Sequence, residues 1–163
     1  DETFDGIYSN LGALNCVPDL LTASRECARL LTPGGQGVFS VIGRTCPWET
    51  AYYSRRRDSA RANRRSAPDA VPVSLSGLRV WTRYYTPTEF YDHFSNEFAR
   101  IRYRSLGLTV PPPYLIGLYR RLGPLGPILN HIDRAIGGMP GVRDLGDHFL
   151  MTLSKRDVFR ARQ

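Results

Sequence analysis

Glu49, which follows Cys46-Pro47-Trp48, is a candidate general base or substrate contact, with Trp48 and Tyr52 beside it as candidate substrate contacts. A carboxylate in a first helical turn is also an ordinary partner of the helix dipole, so both roles stay open. His93, His131 and His148 lie far apart and form no HxxxH or HxH pair, so the residues predict no metal site. His148 enters a strand beside Asp147, where a structural hydrogen bond is the expected role. Cys16, Cys27 and Cys46 are odd in number and widely spaced, which predicts free thiols in a reducing compartment.

Twenty-two basic against fifteen acidic residues give a formal charge of +7, almost all of it from arginine. Such a surplus suits an anionic substrate, nucleic acid or an anionic membrane. The run Arg55, Arg56, Arg57, Arg61, Arg64 and Arg65 carries no zinc-finger, RRM or KH signature, and it reads as a solvated helix face. Trp81, Tyr84, Tyr85 and Tyr114 either roof an apolar acceptor pocket or pack in the core. No apolar run reaches the ~20 residues that span a bilayer, and a cytoplasmic protein is expected.

The elements that must position these residues follow from periodicity and punctuation. Phe4 to Ser9 reads as a strand ending at Asn10 and Gly12. Pro18 to Leu31 repeats apolar residues at helical spacing, and Pro33-Gly34-Gly35 stops it before a strand from Gly37 to Gly43. A second helix is predicted from Pro47 through the arginine run to Arg65, then a loop from Ser66 to Ser76 and an extended arm from Leu78 to Tyr85. Thr86-Pro87-Thr88-Glu89 matches a capping box that opens a helix burying Phe90 and Phe94. A strand from Phe98 to Leu108, helical pieces from Tyr114 to Ile136 and a last strand from Asp147 to Ser154 complete an open α/β sheet. Ligands of such sheets sit beyond the carboxyl ends of the strands, which points to Ser9, Asn10, Leu11 and Gly12.

The run Phe4-Asp5-Gly6-Ile7-Tyr8-Ser9-Asn10, the helix after it and Leu30-Leu31-Thr32-Pro33-Gly34-Gly35 together resemble class I S-adenosylmethionine-dependent methyltransferases. The segments Tyr84 to Phe90 and Gly146-Asp147-His148-Phe149-Leu150 look like the surroundings of the sixth and seventh strands in small-molecule members of that family. The resemblance implies a partial Rossmann-like sheet, strands four to seven of the family, mostly parallel with an antiparallel last strand. On this reading residues 1–155 are the C-terminal half of the domain, with an inserted arm and lid-like helices at about 54–85 and 114–145, and residues 156–163 are a basic tail.

The resemblance further implies that Tyr8, Ser9, Asn10, Leu11 and Gly12 border S-adenosylmethionine, with Trp48, Glu49, Tyr52, Tyr84, Tyr85 and Tyr114 toward a small-molecule acceptor. The family's Gly-x-Gly-x-Gly loop and the acidic end of its second strand do not occur in this sequence. The expectation is therefore that this chain supplies mainly the substrate side, is inactive alone, and pairs at the Phe4 to Ser9 edge with its own N-terminal half or a second copy. A non-enzymatic module binding anions or nucleic acid through its arginines is the competing expectation.

Overall fold

A computed structural model describes residues 3–75 and 77–156. Along the chain run β1 (Phe4–Ser9), α1 (Leu20–Leu30), β2 (Leu31–Ile42), α2 (Pro47–Arg55), α3 (Ser59–Ala62), β3 (Val71–Leu75), β4 (Leu78–Thr82), α4 (Pro87–Asp92), β5 (Phe98–Leu106), α5 (Ile116–Arg121), α6 (Leu125–Ile136) and β6 (His148–Lys155). The α/β class expected from the sequence is observed.

The main sheet has the order β1-β2-β6-β5, and β3 with β4 forms a separate antiparallel hairpin. β1 pairs with β2 in parallel, whereas β6 is antiparallel to both of its neighbours. The expectation of a mostly parallel sheet is thus corrected: the last strand enters between β2 and β5, so two of the three ladders are antiparallel. An inner position buries β6 completely at Met151 and Leu153, both 0% exposed, which an edge position would leave half open.

Several boundaries also differ. Asp19 caps α1 by accepting the Thr22 amide at 3.0 Å, so Pro18 and Asp19 precede the helix. β2 starts at Leu31, ahead of Pro33-Gly34-Gly35, because fully buried Leu31 already pairs with Phe4 and the Pro-Gly-Gly segment is accommodated as an irregularity in the ladder. The single helix expected through Arg65 is broken: Arg57 adopts φ +59°, and Asp58 caps the short α3. The region expected as loop contains β3, where Val71, Val73 and Leu75 alternate across the Pro72 position. β5 stops at Leu106, before Gly107 at φ +70°. Of the expected basic tail, 157–163 lies outside the described residues.

The core forms on the face covered by α1 and α4. Phe39 and Val41 of β2 and Phe149, Met151 and Leu153 of β6 point to that face at the period of two expected of strands. The predicted capping box is present, with the Glu89 amide donating to Thr86 Oγ1 and the Thr86 amide to Glu89 Oε2 at 2.8 Å. It fixes α4 so that Phe90 stacks on Phe94 at 4.8 Å between centroids, with Phe39 and Phe98 closing the cluster. Each such ring contributes about 1.5–3 kcal/mol by burial. On the opposite side of the sheet, β1 is an edge strand among the described residues, with Phe4 52% and Tyr8 83% exposed.

Candidate active site

β1, β2 and β5 point their carboxyl ends to one rim of the sheet, and β6 begins there. The chain leaves β1 through a tight turn in which Leu11 and Gly12 have φ +55° and +71°. Left-handed backbone is unusual for leucine, and Asn10 holds it by accepting the Leu11 amide on its own Oδ1 at 2.8 Å. Leu11 is 82% exposed at the rim. Gly12 lies so close to Ile42 that any Cβ would overlap that side chain.

Asn15, buried in the 3-10 turn that follows, locks this loop in place. Its amide nitrogen donates to the Ile42 and Arg83 carbonyls at 3.1 and 2.7 Å, and its Oδ1 accepts the Ile42 amide at 2.8 Å. One side chain thereby ties the β1 loop to the end of β2 and to the arm. Sequence reasoning passed over it, since nothing local distinguishes an asparagine in Ala13-Leu14-Asn15-Cys16.

Below the rim is a buried charge cluster. Arg65 donates to Glu49 Oε2 at 2.7 Å, to Asp147 Oδ1 at 2.6 Å and to the carbonyls of Gly43 and Asp147 at 2.9 Å each, with its guanidinium over the Tyr84 ring. The expected solvated arginine face is corrected at this residue: Arg55, Arg56, Arg57 and Arg61 are exposed, but Arg65 is buried. The break at Arg57 removes the helical periodicity that would have kept it outside. Arg64 donates to Glu49 Oε1, and the Tyr114 hydroxyl donates to Glu49 Oε2.

These contacts set the charge states. Burial pushes the Glu49 carboxyl up, but the Arg65 bond and charge, the Tyr114 hydroxyl and Arg64 outweigh it and leave it below the usual carboxylate range. For Asp147 burial is likewise outweighed, here by His148 and Arg65. Burial, then the bond to Glu49, raises Tyr114. Burial pushes the Cys46 thiol up to about 11. Cys46, Glu49 and Asp147 place one potential ligand atom each within 4.8 Å of one another, a grouping that counting histidines missed. The guanidinium of Arg65 already bridges the two carboxylates of that group as its cation.

Above the cluster opens a cavity of about 300 Å3 walled by Leu11, Leu106, Val110 and Pro111 to Pro113, with Asn10, Asn130, Asp133 and His148 as polar groups. Its roof is pinned by Asp133 of α6, whose buried carboxylate accepts the amides of Gly107, Leu108 and Thr109 at 3.0, 2.8 and 2.8 Å. His148, for which a structural hydrogen bond is expected, has its Nδ1 3.0 Å from Asp147 Oδ2.

Of the residues singled out in the sequence, the structure brings Asn10 and Leu11 to this cavity, and Glu49 and Tyr114 to the charge cluster beneath it. Tyr8 faces a shallow groove along the β1 edge instead, while Ser9 ends the strand. Tyr84 and Tyr85 are each 3% exposed, the second packed on Phe90 and His93. Trp48 is half-buried, and Tyr52 packs edge-on to Tyr53 under the Arg56 guanidinium.

No family model and no curated protein matches the sequence. Among solved structures, a protein from Listeria monocytogenes assigned as an S-adenosylmethionine-dependent methyltransferase is similar at 15% identity and TM-score 0.56, over 96% of this chain and 63% of its own. An S-adenosylmethionine-dependent methyltransferase from Mesorhizobium loti is similar at 17% identity and TM-score 0.48, over 94% and 63%. A chain from the complex of the Haloferax volcanii Trm112 methyltransferase activator with a protein assigned as a methyltransferase gives 16% and 0.46, over 95% and 54%. This chain thus spans less than two thirds of each of those chains. The alignment with the Listeria structure takes in nearly every element described above, and the chain has the class I S-adenosylmethionine-dependent methyltransferase fold.

Proposed function

We propose that the chain takes part in S-adenosylmethionine-dependent methyl transfer to a small-molecule acceptor, and that it supplies mainly the acceptor side of the site. The observation that carries this reading is the position of the cavity: it opens at the carboxyl ends of the strands, against the strained turn at Leu11. In the family's numbering, β1, β2, β5 and β6 correspond to strands four, five, six and seven.

When bound, S-adenosylmethionine supplies an electrophilic methyl group on a sulfonium cation. The residues at the rim fit such a group chemically, since Asn10 offers an amide oxygen, Asp133 contributes negative charge, and Leu11 presents an apolar surface. Ser9 to Gly12 would border it, with Tyr8 nearby. The proline-rich wall and α6 flank the acceptor, and the Tyr114 hydroxyl holds Glu49 in the cluster beneath. Glu49 is an anchor here rather than a base, because both of its oxygens are engaged by cations or hydroxyl.

Titration with S-adenosylhomocysteine, followed by backbone amide shifts, tests the reading. Perturbations are expected at residues 9–12 and 40–43, together with transfer of a radiolabelled methyl group to an acceptor when the rest of the cofactor site is supplied. Shifts confined to the β3-β4 hairpin or to the Arg55 to Arg61 surface would overturn it.

A further inference from the structure

Resting on the methyl-transfer reading, we propose that His148 is the general base that takes a proton from the acceptor, and that the acceptor is a small apolar molecule bearing a hydroxyl group. Four side chains lie in series from the interior to the cavity. Glu49, Arg65 and Asp147 are 1%, 6% and 5% exposed. Asp147 and His148 both line the cavity, and His148, whose side chain is 22% exposed against 7% for Asp147, is the more open of the two.

Each link constrains the next. Arg65 is held by Glu49 and the Gly43 carbonyl, and it takes Asp147 Oδ1 at 2.6 Å. Asp147 is further fixed through its backbone, which accepts from the Gly43 amide at 3.0 Å and from Arg65. Its remaining oxygen, Oδ2, meets His148 Nδ1 at 3.0 Å. An ionised carboxylate only accepts, so Nδ1 must donate, and the neutral ring then carries its lone pair on Nε2. Nε2 bonds to no described residue, and the ring stands among Asn10, Leu11 and Leu106 at the cavity wall.

A lone pair held in that way suits an acceptor that must lose a proton to become a good nucleophile. His148 Nε2 takes the hydroxyl proton, and the oxygen keeps the O–H electron pair with which it bonds the methyl carbon. The pair of the broken carbon–sulfur bond remains on the departing sulfur, and the imidazolium returns its proton to solvent. The apolar wall and the volume of about 300 Å3 match a single ring or a short chain around that hydroxyl. Asp147 and Arg65 are positioning residues in this scheme, acting through the ring.

The test uses phenol as acceptor and 4-nitrophenol as the control that needs no base, both assayed at pH 8, where 4-nitrophenol is largely ionised and phenol is not. Ring-nitrogen resonances of 15N-labelled histidine are expected to show His148 protonated on Nδ1 when neutral, and phenol is expected to shift its Nε2 signal. H148Q is expected to lower phenol methylation about 10²–10⁴-fold with the KM for S-adenosylmethionine unchanged, and to lower 4-nitrophenol methylation less than about 10-fold. D147N is expected to lose the Nδ1-protonated tautomer while still binding S-adenosylhomocysteine. Protonation on Nε2, an unmoved ring on phenol addition, no phenol methylation by a chain that binds S-adenosylhomocysteine, or full turnover in H148Q would each overturn the proposal. Failure of S-adenosylhomocysteine to perturb residues 9–12 would sink the methyl-transfer reading instead, a result separate from the tautomer.

Discussion

The Arg65 guanidinium meets the Asp147 carboxylate at 2.6 Å although 82 positions separate the two residues in the chain. This contact connects the segment after α3 to the start of β6, and the one to Glu49 connects it to α2, so the charge cluster both closes the fold and supports the site.

Replacing Arg65 by Met leaves Glu49 and Asp147 buried without their shared cation. R65M is expected to lose about 3–5 kcal/mol of stability in urea unfolding, and R65M/E49Q to recover part of it. A loss under about 1 kcal/mol would show that the cluster is more hydrated than its burial indicates.

Acid should act on the same cluster. Both carboxyls are held below their ordinary values of 4.5 and 3.8, so the stability they contribute is present above pH 4.5 and is lost as pH falls through the folded-state values. Unfolding midpoints in urea measured from pH 6 downward are expected to stay level until the carboxylate range and then drop. In R65M the drop is expected to begin at higher pH.

Asn15 is a structural clamp, and N15L leaves an Ile42 amide and two carbonyls without their partner. The expected loss is about 3 kcal/mol, at 1–3 kcal/mol for each buried group left unpaired. Hydrogen exchange is expected to quicken at Ile42 and Arg83 before it does in the phenylalanine core.

Adding a methyl group at Gly12 requires left-handed backbone from alanine and an overlap with Ile42. G12A is expected to cost at least ~1 kcal/mol from the backbone alone. It should also weaken S-adenosylhomocysteine binding, and G12A/I42A is expected to regain stability. Unchanged binding in G12A would separate the turn's geometry from cofactor recognition.

The exposed backbone of β1, flanked by Phe4 and Tyr8, is a template for another strand. Light scattering at rising concentration is expected to show self-association that Y8K reduces. A monodisperse monomer at every concentration would indicate that this edge is blunted by its own twist and charge.

Signals confined to a few neighbouring residues were readable without coordinates. The apolar repeat of α1 and the Thr86-Glu89 capping box depend on residues three to four apart, and the Phe4 to Ser9 strand is marked by its aromatic and β-branched composition; all three elements are present. The resemblance gave the order of elements, and the strand-end rule pointed to Asn10 and Leu11. What only the tertiary structure decided depends on partners distant in sequence: the insertion of β6 between β2 and β5, the burial of Arg65 out of an otherwise exposed arginine run, and the Asn15 clamp. An arginine or asparagine has the same local preferences whether its partner is solvent or a carboxylate 82 positions away. The free energy that places it inside comes from charges and carbonyls that folding alone brings together.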